Sequence, residues 1–492
     1  MTAGLAQLSY HEHQEHSAPL RVGQVFSAAF WSFLLVLAGS GMQGYANGTF
    51  HAPVAAVLFL FGGYLLTETA FCGRKAEGRA FLLTFGICVL TGGLVQCYSL
   101  AVFGNPQSTV DAVSTFFPYI AGRPPFPTTT EIFTSFSYSG PGAVVVWQQI
   151  YKAAWYLGLD FGPYVGVMFN AVVMGFTASV TVRTAREIFG NDSWRLHRVG
   201  TLFALCGMFI LFGSVLLRDC FTTFLNAVVI WGLIRWLCKP KTTTLLFSGA
   251  LTGLSVLAMV YLRPASIAMF ALYWAIALAC WFIARPMETR RLIAALLLMP
   301  VFLVCSAYVV RYLISSQHLV VYNLQRYQDH LAQFSDQDSL AMRLIVNQPL
   351  PIRLVLGTGA LMITPIPLWA YFRSGAIDSF LIRGYHGLYQ VLLLPLVFTG
   401  MVTALTALRR NRDQVSLVFL GAYISVNVLA VAATSLELRH VSQFMPAFMI
   451  LAAVPDTRKK EVQKGTAGIA IIWLVVVVLV HVAWLVAAAN RL

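Results

Sequence analysis

Residues 199–237 read VGTLFALCGMFILFGSVLLRDCFTTFLNAVVIWGLIRWL. Two apolar runs meet at Arg218-Asp219 with no loop between them. Each is about long enough to cross a hydrocarbon core of roughly 30 Å. Comparable runs follow one another from Val25 to Ala488. The predicted spans are 25–45, 52–69, 80–103, 163–182, 199–217, 221–237, 244–262, 265–284, 292–315, 385–408, 415–434, 441–455 and 467–488. The expected fold class is therefore all-α, a polytopic integral membrane protein with about 13 transmembrane helices. No repeat, low-complexity tract or separable soluble domain interrupts it. A cytoplasmic tail at 1–24 precedes one transmembrane domain at 25–488.

Composition agrees. The chain is 58% hydrophobic and 11% charged, where a soluble domain carries about 25% charged residues. Its formal charge of +14 would point to nucleic acid in a soluble protein. In a membrane protein it reads as basic cytoplasmic loops, and no nucleic acid is expected as a partner. With the N-terminus inside, short inner loops receive Arg74, Lys75 and Arg79; Arg183, Arg186, Arg195 and Arg198; and Arg235, Lys239 and Lys241. They also receive the basic groups near 21, 285–291, 409–412 and 458–464, together 21 of the 33 Lys and Arg residues. The opposite orientation would place these clusters outside, against the positive-inside rule. The N-terminus carries no basic, apolar and small-residue signal peptide, so the first span is expected to act as the insertion signal. His11, His13 and His16 read as part of a disordered polar tail. The eight cysteines have no metal-like spacing and read as small buried hydrophobes.

One segment breaks the alternation. Residues 354–371 are apolar enough to span, yet a crossing there would put Arg409, Arg410 and Arg412 outside. A re-entrant or interfacial hairpin broken at Pro365 and Pro367 keeps those charges inside. Two long loops, 104–162 and 316–353, then lie outside. In the first, Trp147, Ile150, Tyr151, Ala154 and Trp155 recur at helical spacing within 144–159. This predicts an amphipathic helix lying along the interface.

The polar residues left over gather at the outer face. Arg218-Asp219 joins the fifth and sixth spans, Arg263 the seventh and eighth, and Arg311 sits near the end of the ninth. Glu437, Arg439 and His440 join the eleventh to the twelfth, and Asp111 and Arg123 lie in the first outer loop. A charge at mid-membrane costs about 2.5–3.5 kcal/mol, less near the interface. Such residues either snorkel as turn residues or line a polar cleft. Of the 12 outer basic residues, Lys152 alone is not arginine. Arginine suits bidentate contact with phosphate oxygens. A cleft of this kind fits a lipid-linked phosphate or pyrophosphate: guanidinium forks hold the leaving group and a loop carboxylate takes a proton from an attacking hydroxyl.

This arrangement resembles the GT-C superfamily of polytopic glycosyltransferases, whose donors are polyprenyl-phosphate sugars. Asp111-Ala-Val-Ser-Thr-Phe-Phe-Pro-Tyr119 looks like the acidic segment in the first large outer loop of that superfamily. Leu217-Arg218-Asp219, Arg263-Pro264, and Glu437-Leu-Arg439-His440 followed by Pro446 look like features of its bacterial branch, which includes polysaccharide-polymerase-like proteins. Two differences stand out. The acidic loop follows the third predicted span instead of the first, and Ala112 stands where a second acidic residue is usual.

The resemblance implies an inverting sugar transfer at the outer face of a cytoplasmic (inner) membrane. It implies Asp111 as general base, with Arg218 and Arg263 at the donor phosphate and Arg311 among the substrate-binding residues. Arg439 and His440 would complete the site, while Asp219 and Glu437 orient the arginines. The partners are then a lipid-linked sugar donor, a glycan or lipid acceptor, and membrane lipids. The resemblance fixes no cofactor, and a divalent cation near Asp111 stays open. Competing readings are a repeat-unit polymerase or ligase using a pyrophosphate-linked glycan, a transporter or lipid flippase, and a non-catalytic scaffold.

Overall fold

The computed structural model describes residues 22–106, 116–120, 126–135, 141–263, 266–284, 345, 348–363, 379–410, 415–434 and 437–489. Regular structure among these residues is entirely α-helical. In chain order the helices are α1 (Val22–Asn47), α2 (His51–Ala70), α3 (Lys75–Phe103), α4 (Phe117–Ile120), α5 (Thr129–Ser135) and α6 (Gly142–Tyr156). Then come α7 (Tyr164–Phe189), α8 (Ser193–Ala204), α9 (Gly207–Ser214), α10 (Asp219–Cys238), α11 (Thr242–Leu262) and α12 (Ile267–Ala284). The last six are α13 (Leu350–Ile363), α14 (Ser379–Arg410), α15 (Val415–Thr434), α16 (Leu438–Ser442), α17 (Pro446–Ala452) and α18 (Lys460–Ala489).

Eight of the described helices are long and apolar enough to cross a membrane, and a bent pair makes a ninth. The chain is a multi-pass membrane protein. The expected total of thirteen is not reached, for identifiable reasons. The 26-residue α1 and the 18-residue α12 fall outside that count. The expected span 292–315 lies outside the described residues, as do Pro365 and Pro367 of the expected hairpin at 354–371, of which residues 354–363 fall on α13.

The expected span 441–455 is corrected: it is two short helices, α16 and α17, joined by a turn at 443–445. Pro446 opens α17 and has no N–H to donate back, so the preceding turn cannot continue. Residues 440–455 are nevertheless buried. Interrupted backbone is tolerated at membrane depth when protein, and not lipid, surrounds it.

The expected span 199–217 also departs from a straight rod. Helices α8 and α9 meet at a 59° bend. Two tyrosines of α14 explain why the bend is stable: Tyr385 donates to the Leu205 carbonyl at 2.8 Å and Tyr389 to that of Leu202 at 2.6 Å. These hydroxyls satisfy acceptors at the C-terminal end of α8. Gly207 lets the break close, since a Cβ there would lie 2.8 Å from the His386 Cβ.

Helices α3 and α7 form the centre. Across its apolar stretch α7 is 89% buried, whereas α18 is 11% buried and belongs to the lipid-facing periphery. Helix α1 lies against α3 at close range because Gly39 faces the backbone of Val89 and Leu90 and Gly93 faces that of Gly39; a Cβ on Gly93 would meet the Gly39 carbonyl at 2.4 Å. Close backbone approach at small residues is how membrane helices gain dispersion energy when lipid removes the hydrophobic drive between them.

Ion pairs sort the helix ends into two faces. At one, Arg186 of α7 grips Glu77 of α3, and Lys239 after α10 reaches Glu187 of α7 at 2.9 Å. The ends of α10 and α11 remote from Lys239 and Lys241, and the C-terminal end of α15, therefore lie at the opposite face. The expected outer helix is present as α6. It buries Val144, Trp147, Gln148, Tyr151 and Ala154, while Trp155 turns outward.

Candidate functional site

The site begins where α10 begins. Val215 is extended (φ −133°, ψ 163°), which ends α9. Arg218 then returns the chain to helical angles, and Asp219 opens α10. The short connection has its own support: Asn170 of α7 donates from Nδ2 to the carbonyls of Val215 (2.9 Å) and Leu217 (3.2 Å). Apolar side chains on both flanks bury this turn, so Arg218-Asp219 is held at a fixed place and cannot swing as a loop would. The N-terminus of a 20-residue helix carries a partial positive charge. Asp219 answers part of it.

Asp219 is only 6% exposed. Its Oδ1 accepts from Gln443 Nε2 at 2.8 Å and lies 3.7 Å from Arg263 Nη1. Thr222 and Thr223 donate to its backbone carbonyl. Arg263 follows the last residue of α11 and donates its backbone N–H to Met259. A cation suits that end of a helix. The third strand of chain arrives from α15. Glu437 is extended and precedes α16; its carboxylate accepts from Arg439 Nε and lies 3.7 Å from His440 Nε2.

His440 is buried, and Arg263, Arg439 and Arg218 all act on it. Burial first, and then these three guanidinium groups, hold its pKa well below the ordinary 6.5. The imidazole is neutral near pH 7. Among the described residues the cluster thus holds three guanidinium groups against two carboxylates, an excess of one positive charge.

A pH experiment follows from this. In the unfolded chain a histidine titrates near 6.5, whereas folded His440 resists protonation. The stability it contributes is present above pH 6.5 and is lost as pH falls toward its folded pKa. That loss builds as pH is lowered from 7.5 toward 5. Thermal unfolding of the full chain in detergent should therefore show His440→Gln with a flatter pH profile than wild type. Identical profiles would mean that His440 binds protons equally in both states.

Of the eight site residues expected from the sequence, the fold brings six together: Arg218, Asp219, Arg263, Glu437, Arg439 and His440. Asp111 and Arg311 lie outside the described residues, as does Arg123. The divalent cation left open near Asp111 falls outside them too, and no group of three or more His, Cys, Asp or Glu that could hold a metal ion occurs among the described residues. Sequence reasoning missed Gln443 and Asn170. Both are uncharged amides inside apolar stretches, and Gln443 stands three residues after His440. An amide at that depth needs partners, which was the available signal.

Comparison with family models, with curated proteins and with solved structures finds no match.

Proposed function

We propose that the protein is a membrane glycosyltransferase of GT-C type. In this reading it moves a sugar from a polyprenyl-phosphate-linked donor to an envelope glycan or lipid acceptor at the outer face of a cytoplasmic membrane. The observation that carries the reading is the convergence of Arg218, Arg263 and Arg439 on one buried polar cluster from three separate parts of the chain.

Among the described residues, an excess of one positive charge suits a phosphodiester, which carries one negative charge, better than a pyrophosphate, which carries two. This favours a sugar phosphate over the pyrophosphate-linked glycan that a polymerase or ligase would use. Arginine forks would hold the phosphate oxygens, and the N-terminus of α10 would add its partial charge. The acceptor oxygen attacks the anomeric carbon, the bond from that carbon to the phosphate oxygen breaks, and lipid phosphate leaves with the electron pair. The hydroxyl proton passes to Asp111. The arginines stabilise the charge that builds on the leaving phosphate.

A transporter draws support from the bent pair α8–α9, since broken helices form the sites of many transporters. Here Tyr385, Tyr389 and the close packing of Gly207 on His386 occupy the break. That filling favours a structural bend.

The test is to compare envelope glycans and lipid-linked intermediates by mass spectrometry in cells lacking the protein, complemented with wild type or Asp111→Asn. Loss of one defined sugar, unrescued by the variant, supports the transferase. Accumulated single repeat units would point to a polymerase, and unchanged glycans would remove the enzyme reading.

A further inference from the structure

Trp147 lies on α6 and is fully buried. Three separate parts of the protein meet on its indole. Phe116, from the outer loop that also carries Asp111, packs against it with ring centroids 5.2 Å apart. Phe221, in the first turn of α10, packs against it at 5.4 Å. Its Nε1–H donates to Asn170 Oδ1 at 2.8 Å. Asn170 is also fully buried, and its Nδ2 holds the carbonyls of Val215 and Leu217 directly before Arg218. The path from α6 to the Arg218 turn therefore has two hydrogen-bonded steps and no water-exposed member.

The geometry restricts each group. Trp147 can only donate, so Asn170 must present its oxygen to the indole. That fixes the amide orientation, and the NH₂ group is left facing the two carbonyls. Without the indole N–H the amide loses the partner that sets its orientation. Without the amide, two buried carbonyls lose a donor. The turn would then be free to choose other angles, and Arg218 would move with it.

We infer that Trp147 and Asn170 are positioning residues that join the outer loop to the phosphate-binding turn. The inference rests on the reading of Arg218 as a phosphate ligand. Because Phe116 and Phe221 share one indole, movement of the loop is transmitted to the first turn of α10.

The experiment measures binding of dihexyl phosphate, a phosphodiester that keeps one negative charge across the working pH range, to the full-length protein in detergent micelles. Asn170→Leu should weaken binding by about tenfold, the scale of leaving buried polar groups unpaired. In an Arg218→Gln background the same change should have no further effect, because the residue it positions is gone. Trp147→Phe keeps a ring between Phe116 and Phe221 and removes the N–H. It should give a smaller loss with the same dependence on Arg218, and it serves if Asn170→Leu does not fold. Equal weakening in both backgrounds, or no weakening in folded variants while Arg218→Gln abolishes binding, would overturn the inference alone. If wild type does not bind the probe, or Arg218→Gln binds as well as wild type, the phosphate reading fails and the inference falls with it.

Discussion

If the protein is the glycosyltransferase proposed above, replacing Arg218 with glutamine is expected to lower sugar transfer by two to three orders of magnitude, roughly the cost of removing one preorganised donor from a developing oxyanion. The expectation follows from where the side chain starts. Arg218 stands at the N-terminus of α10, its turn is held by Asn170, and its charge is felt at His440 beside Arg263 and Arg439. A guanidinium whose backbone turn is held in this way would need less reorganisation if charge builds on a leaving phosphate, as the proposed transfer requires. Glutamine keeps much of the length and some hydrogen-bonding capacity but loses the charge and the fork. The described cluster would then fall from an excess of one positive charge to neutrality.

Arg218→Lys separates charge from shape. It restores the charge without the bidentate geometry and should recover only part of the rate. The measurement is the initial rate of transfer from a lipid-linked sugar phosphate in proteoliposomes, with thermal unfolding as the check on folding. Full activity in folded Arg218→Gln would remove this residue from the phosphate site. Arg263→Gln should behave differently, because Asp219 would keep Gln443 but lose its nearby cation. Both the rate and the stability should then fall.

Most of the helical plan was legible because it rests on terms local to each segment: apolar length, and basic residues at alternate ends. Of the two departures, one came from tertiary partners and one from a proline within the segment. Nothing between Phe203 and Gly207 announces a 59° bend; it depends on Tyr385 and Tyr389, some 180 residues away, meeting two carbonyls. The interrupted segment at 438–452 contained a visible signal in Pro446, but hydropathy alone could not reveal that protein surrounds it.

At the site, charged residues in apolar surroundings declared themselves by cost, which is why Arg218, Asp219, Arg263, Glu437, Arg439 and His440 could be grouped. Gln443, Asn170 and Trp147 could not. A buried amide or indole signals that it needs a partner but not which one. Their roles depend on pairings such as Gln443 with Asp219, 224 residues apart.

At the other face, Glu77→Leu is expected to destabilise the protein by about 3–5 kcal/mol, the cost of stranding a buried cation. Glu77 is fully buried, and its two carboxylate oxygens accept from Arg186 Nε at 2.8 Å and Nη2 at 2.6 Å. This fork-on-fork geometry joins the start of α3 to the end of α7, the two central helices. Arg186 also donates to Asn191 at 2.8 Å, which gives its Nη1 a partner but no countercharge. Arg183, one turn away, already shares Glu187 with Lys239. With Glu77 gone, Arg186 would remain beside other cations without its own carboxylate. The pair need not contribute much net stability when intact, since desolvating both charges offsets their attraction. The double variant Glu77→Leu/Arg186→Met should therefore recover most of the loss. Thermal unfolding in detergent of the two single variants and the double gives the coupling directly. Additive losses would show that the two side chains act independently, and a Glu77→Leu protein as stable as wild type would mean that solvent or lipid headgroups already screen Arg186. Because α7 also carries Asn170 near its far end, weakening its anchorage here should further reduce phosphate binding in folded protein, a coupling across the length of the helix.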